Sequence, residues 1–180
     1  MIKKILLYGI FLTNIIYAQQ DKDRGYIVEI GQPSPVFSIE KTNGEILNLE
    51  NHIGKVIMIQ FTASWCSVCL KEMPFIETDI WQKHKDNNDF LLIGLAKDDI
   101  KKKQDIENIE YMQQKTQATY PIEIDKNGDV FKLFAAERAG VTRNIIINRK
   151  GEIAYLTRLF DHTEFEEMKK VINELLENKD

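Results

Sequence analysis

The sequence predicts an α/β fold, a mixed β-sheet covered by helices on both faces. Three observations carry this. Strand-like and helix-like runs alternate along the chain. Two of the strand runs, 56–62 and 90–96, are almost wholly apolar, as central strands buried on both faces are. At 180 residues and 43% hydrophobic, the chain is long and apolar enough for one domain with a full core.

The first eighteen residues stand apart. Lys3 and Lys4 precede a mostly apolar stretch, 5–17, and Ala18 offers a small residue before a cut. This is the layout of a secretory signal peptide, although Ile16 departs from the small-x-small pattern. The stretch is short for a membrane span; an uncleaved N-terminal anchor is the alternative. Residues 19–30 read as a polar linker ending in a short strand at 26–30, and the main domain runs from 31 to 180. Gly31-Gln32-Pro33-Ser34-Pro35 is a stiff loop, because two prolines exclude helix. Residues 36–41 and 45–49 form a hairpin about Thr42-Asn43-Gly44.

Strand 56–62 leads into a helix over about 66–85, with Leu70, Met73, Ile76 and Ile80 on one face and a kink expected at Pro74. Strand 90–96 follows, then a charged helix over about 100–116 with Lys101-Lys102-Lys103 on a solvated face. A short strand at 120–125 turns at Asp125-Lys126-Asn127-Gly128 into a short helix at 130–136. Residues 144–148 and 152–156 form a second hairpin about Arg149-Lys150-Gly151. Thr163-Glu164-Phe165-Glu166 reads as a capping box, and Phe165, Met168, Ile172 and Leu175 form the apolar stripe of a last helix.

The only two cysteines lie in one tetrapeptide, Cys66-Ser67-Val68-Cys69, directly after Trp65. A Cys-x-x-Cys pair between a strand and a helix is the setting of redox chemistry. The first thiol sits at the positive end of the helix dipole, which favours the attacking thiolate. The second is within reach to close an intramolecular disulfide and release a partner. A zinc site would need further ligands, and His52, His84 and His162 lack ligand spacing; no metal is expected. An exported chain would use many cysteines for structural disulfides. One close pair is suited to exchange instead. The net charge of −4 argues against a general nucleic-acid binder.

These residues resemble the thioredoxin superfamily, in its exported TlpA/ResA-like branch, over roughly residues 31–170. Residues 31–37 look like that branch's entry segment, and Phe61-Thr62-Ala63-Ser64-Trp65-Cys66-Ser67-Val68-Cys69 matches its active-site segment. Pro74 matches its helix-kinking proline; residues 120–125 and the Gly151 hairpin match its later half. The resemblance implies a thioredoxin-like fold with an N-terminal β-hairpin extension and a helical insertion. It also implies a periplasmic or cell-envelope thiol–disulfide oxidoreductase. Many of this branch are reductants, some in cytochrome c maturation. Protein disulfides would be the substrates, a membrane protein the electron donor. No cofactor is implied, and a monomer is expected.

In that reading Cys66 is the nucleophile and Cys69 the resolving thiol. Reductants of the branch often carry a glutamate where Glu72 stands, and i to i+3 spacing puts its carboxylate one turn above the inner thiol. Gln60 holds the place of the buried aspartate of cytosolic thioredoxins, which leaves Glu72 as the candidate proton carrier; the alternative is a solvent-facing charge. Trp65 is expected beside the disulfide. Thr142 stands where the family has a cis proline facing the cysteines. Val141, Thr142 and Arg143 are therefore expected to form a substrate-docking loop, with Arg143 near Cys66. The Val141–Thr142 bond is either cis or a reshaped trans loop. Rival readings are a thiol peroxidase and a copper-handling module on the same fold. Against the first, Ala63 stands where the peroxidase pattern needs threonine. Against the second, the cysteine spacing is one residue short.

Overall fold

The computed structural model describes residues 24–178. The expected signal peptide and the start of the linker lie outside the described residues. Two short strands, β1 (Ser38–Glu40) and β2 (Ile46–Asn48), pair antiparallel as the first hairpin. The main sheet holds β3 (Val56–Thr62), β4 (Phe90–Lys97), β5 (Ile122–Asp125), β6 (Arg143–Ile147) and β7 (Ile153–Arg158). Their order is β5-β4-β3-β6-β7. β3, β4 and β5 run parallel, while β6 is antiparallel to β3 and β7 to β6. All of β3 is buried, which is why its sequence shows no alternation.

Helix α1 (Ser67–Ile76) follows β3, and α2 (Ile106–Thr116) makes the crossover that the parallel β4–β5 pair requires. α3 (Phe131–Phe134) follows β5, and α4 (His162–Glu177) ends the described chain. Successive side chains of β3 enter two cores. Ile57, Ile59 and Phe61 pack with Phe131, Phe134 and the hairpin's Phe37 and Ile39. Val56 and Met58 pack with Met73 and Ile76 of α1 and with Phe165, Met168 and Ile172 of α4. The helix at the cysteines does not stay α-helical to its end. Pro74 lies inside α1, where it has no N–H for the bond to the fourth residue back, and the chain widens into a π-helical turn at Glu77–Trp81.

Three elements differ from the sequence expectation. Residues 26–30 are not a strand; only Tyr26 makes a bridge, to Ala135. The charged helix begins at Ile106 rather than near 100, so the lysine run lies in a loop. The Asp99 carboxylate accepts the N–H groups of Lys101 and Lys102 in a local turn, and Asp105 caps the helix instead. Likewise Asp161, not Thr163, caps α4, accepting the N–H groups of Thr163 and Glu164.

Candidate active site

Cys66 is the N-cap of α1, and its backbone is extended. That conformation arises where β3 ends and Cys66 N–H closes a turn onto the Ala63 carbonyl, 3.0 Å away. The Cys69 N–H points at Cys66 Sγ across 3.2 Å, so a free amide of the helix's first turn meets the first sulfur. The two cysteines are joined as a disulfide, with Cα atoms 5.3 Å apart. Cys66 keeps 9% of its surface open and Cys69 none. An outside thiol or disulfide therefore meets Cys66 first.

Thr142 faces this pair. Its Oγ1 lies 3.2 Å from Cys66 Sγ and 3.2 Å from Cys69 Sγ. No cis peptide bond occurs among the described residues, so Val141–Thr142 is trans. Val141 is buried beside it. Thr142 immediately precedes β6, and side chains alternate along the strand. Asn144 therefore shares the face of Thr142, while Arg143 takes the other.

Arg143 is the correction among the expected site residues. It is fully buried, donates to the carbonyls of Gly140 (3.0 Å) and Arg24 (2.7 Å), and lies 4.3 Å from the centre of the Tyr26 ring. None of these contacts reaches the sulfurs. Strand alternation turned it into a brace for the N-terminal segment. Gly25 is needed there: its φ is +82°, and a Cβ would come within 3.0 Å of Arg143 Nη2.

Glu72 is buried with 2% exposure, not solvent-facing. Its Oε1 accepts a 2.7 Å bond from Asn144 Nδ2, and its Oε2 has a longer 3.5 Å contact with Gln60 Nε2. Burial pushes its carboxyl up to about 7, although the two amides pull it back. The network extends further. Tyr120 donates to Gln60 Oε1 at 2.7 Å, and Asn144 Nδ2 also reaches Thr157 Oγ1 at 2.9 Å. Burial and the nearby Glu72 charge push the Tyr120 phenol well above its usual range. The sequence reading missed Asn144, Tyr120 and Thr157 as members of the site. The available signal was a polar residue inside an apolar strand run, as Gln60 is in β3 and Asn144 in β6.

The loop after β4 braces the cysteine turn. Gln104 Oε1 accepts from Ser64 N–H at 3.0 Å, and Ser64 Oγ donates to Asn108 Oδ1 at 2.6 Å. Trp65 is 42% exposed, with Lys102 Nζ 3.7 Å from the centre of its ring. Pro74, two residues past Glu72, is half-buried.

A Cys-x-x-Cys disulfide at a helix N-terminus, its first cysteine slightly exposed and its second fully buried, with a buried carboxylate three residues on, defines a thioredoxin-like thiol–disulfide oxidoreductase. The Redoxin family model matches residues 29–172, and the chain belongs to that family. It is 26% identical over 126 residues to the thiol-disulfide oxidoreductase ResA of Bacillus thuringiensis subsp. konkukian, covering 70% of this chain and 68% of that one. It is 28% identical to the thioredoxin-like protein YneN of Bacillus subtilis, covering 69% of each. Among solved structures, a candidate protein disulfide isomerase of Bacteroides thetaiotaomicron is 48% identical with a TM-score of 0.79, covering 86% of this chain and 94% of that one.

Proposed function

We propose that this enzyme is an exported reductase of protein disulfides, with Cys66 attacking and Cys69 resolving. The observation that carries this is the asymmetry of the pair: Cys66, at the helix N-terminus, keeps 9% of its surface exposed, and Cys69 none. The Cys66 thiolate attacks one sulfur of a substrate disulfide. That bond breaks, and the first substrate sulfur leaves as a thiolate that takes a proton from water. Cys69 then gives its proton to the Glu72 carboxylate and attacks Cys66 Sγ. The second substrate sulfur leaves as a thiolate, the proton held by Glu72 passes to it, and the enzyme is left as the disulfide. Two electrons have passed to the substrate, and a dithiol donor at the membrane returns them. The loop at Val141 and Thr142 presents backbone to the bound chain, which pairs as an added strand, with Trp65 beside it. Export rests on the signal-like residues 1–18.

The reduction potential of the Cys66–Cys69 pair tests the direction. A value near that of thioredoxin, about −270 mV, supports the reductase reading. A value near that of DsbA, about −120 mV, makes the enzyme an oxidase.

A further inference from the structure

The Thr142 hydroxyl is equidistant from the two sulfurs, at 3.2 Å from each. The superfamily pattern puts proline here, which has no donor. A threonine hydroxyl carries one proton to donate and two lone pairs to accept. The side chain is buried with 3% exposure, and its backbone carbonyl is held by the Leu159 N–H at 3.1 Å. The hydroxyl is thus fixed against the reacting atoms by the backbone, with little water to compete.

We infer that Thr142 is a catalytic residue whose hydroxyl donates to the Cys66 thiolate in the reduced enzyme and accepts from the Cys69 thiol. The inference rests on the reading of Cys66 as the attacking sulfur. In the reduced pair the sulfurs carry one S–H and one negative charge, and only this arrangement satisfies both with one hydroxyl. The donated bond holds charge on Cys66 alongside the Cys69 N–H, which already points at that sulfur. The accepted bond holds the proton on Cys69 until the mixed disulfide forms. Attack then consumes the Cys66 charge, its sulfur no longer needs the donor, and the hydroxyl is free to turn toward the next thiolate, Cys69. No atom is gained or lost at Thr142, because the Cys69 proton leaves to Glu72 and the hydroxyl keeps its own. Thr142 faces the pair from the β6 side, and the Cys69 N–H of α1 points at Cys66 Sγ; the titratable group buried on α1 is Glu72, three residues after Cys69. Arg143 is turned to the other face, so no cation on β6 substitutes for the hydroxyl.

The test compares Thr142→Val, which keeps the branched shape, with Thr142→Ser, which keeps the hydroxyl. The readout is the pH dependence of alkylation of the reduced full-length protein by iodoacetamide, with the modified cysteine identified by mass. A hydrogen bond to a charged group predicts about a tenfold weaker acid constant for Cys66 in Thr142→Val. Thr142→Ser should stay within about twofold of native, since the bond to the charge is retained. An unchanged titration in Thr142→Val overturns the inference. So does an equal shift in both variants, which would make packing rather than the hydroxyl the cause. If alkylation marks Cys69 rather than Cys66 in the native protein, the order of attack is wrong. The hydroxyl is still tested, because it reaches both sulfurs.

Discussion

Asn144 and Glu72 are joined by a 2.7 Å hydrogen bond between the amide nitrogen of one and a buried carboxylate oxygen of the other. The bond ties β6 to α1, at a residue three positions after Cys69. Two residues earlier on the same strand face, Thr142 touches both sulfurs. Residues two apart on a strand stand about 6.7 Å from one another. The start of β6 and the residue just before it therefore carry the carboxylate contact and the sulfur contact side by side.

The first prediction concerns proton transfer. Glu72, with its carboxyl raised to about 7, exchanges protons near neutral pH. Glu72→Gln should slow resolution of the mixed disulfide by about 10²-fold and flatten the rise of that rate through neutral pH. Stopped-flow measurement of product release across pH checks both. An unchanged profile removes Glu72 from the chemistry.

The same carboxyl shapes stability. Unfolded, it has the usual value of 4.5; folded, it keeps its proton to about 7. The folded state binds the extra proton between those values, so stability falls as pH rises from 4.5 to 7. The full loss, on the order of 3 kcal/mol, is present above 7. Asp125, raised by burial to about 6 from 3.8, acts in the same direction lower on the scale. Urea titrations of native and Glu72→Gln protein should agree near pH 4 and separate above 7, with the variant more stable. Parallel curves would contradict the assignment.

Arg143 is expected to matter for folding and not for sulfur chemistry. Arg143→Ala empties a fully buried site and leaves the carbonyls of Arg24 and Gly140 without that donor. A loss of about 2–4 kcal/mol in unfolding free energy is expected. Cys66 alkylation at each pH should match native. A weakened Cys66 acidity without loss of stability would return Arg143 to the active site.

Trp65 provides an optical probe. It precedes the disulfide, is 42% exposed, and sits under the Lys102 ammonium. In a Trp81→Phe background, reduction of Cys66–Cys69 should change its emission. A spectrum identical in both redox states would separate Trp65 from the pair.

The sheet was legible because its strands are apolar blocks bounded by turn residues, and β3 matches residues 56–62 as read. The cysteine site was legible because its parts are consecutive in the chain. Legibility failed where a side chain competes with the backbone. Asp99 holds the N–H groups of Lys101 and Lys102 and so delays α2 to Ile106. It failed again at Arg143, because nearness to Thr142 in sequence is not nearness to the sulfurs: alternation along the strand puts adjacent residues on opposite faces. Asn144 and Tyr120 were hidden for a further reason. Their roles exist only through partners on other elements, Glu72 on α1 and Gln60 on β3.

The central claim is that Cys66 attacks and Cys69 resolves. Cysteine-to-serine variants exposed to a protein disulfide, followed by non-reducing electrophoresis, test it most directly. Cys69→Ser should accumulate a mixed disulfide through Cys66, because nothing remains to resolve it. Cys66→Ser should form little adduct, because Cys69 is fully buried. Equal trapping by both variants, or trapping by Cys66→Ser alone, would contradict the account.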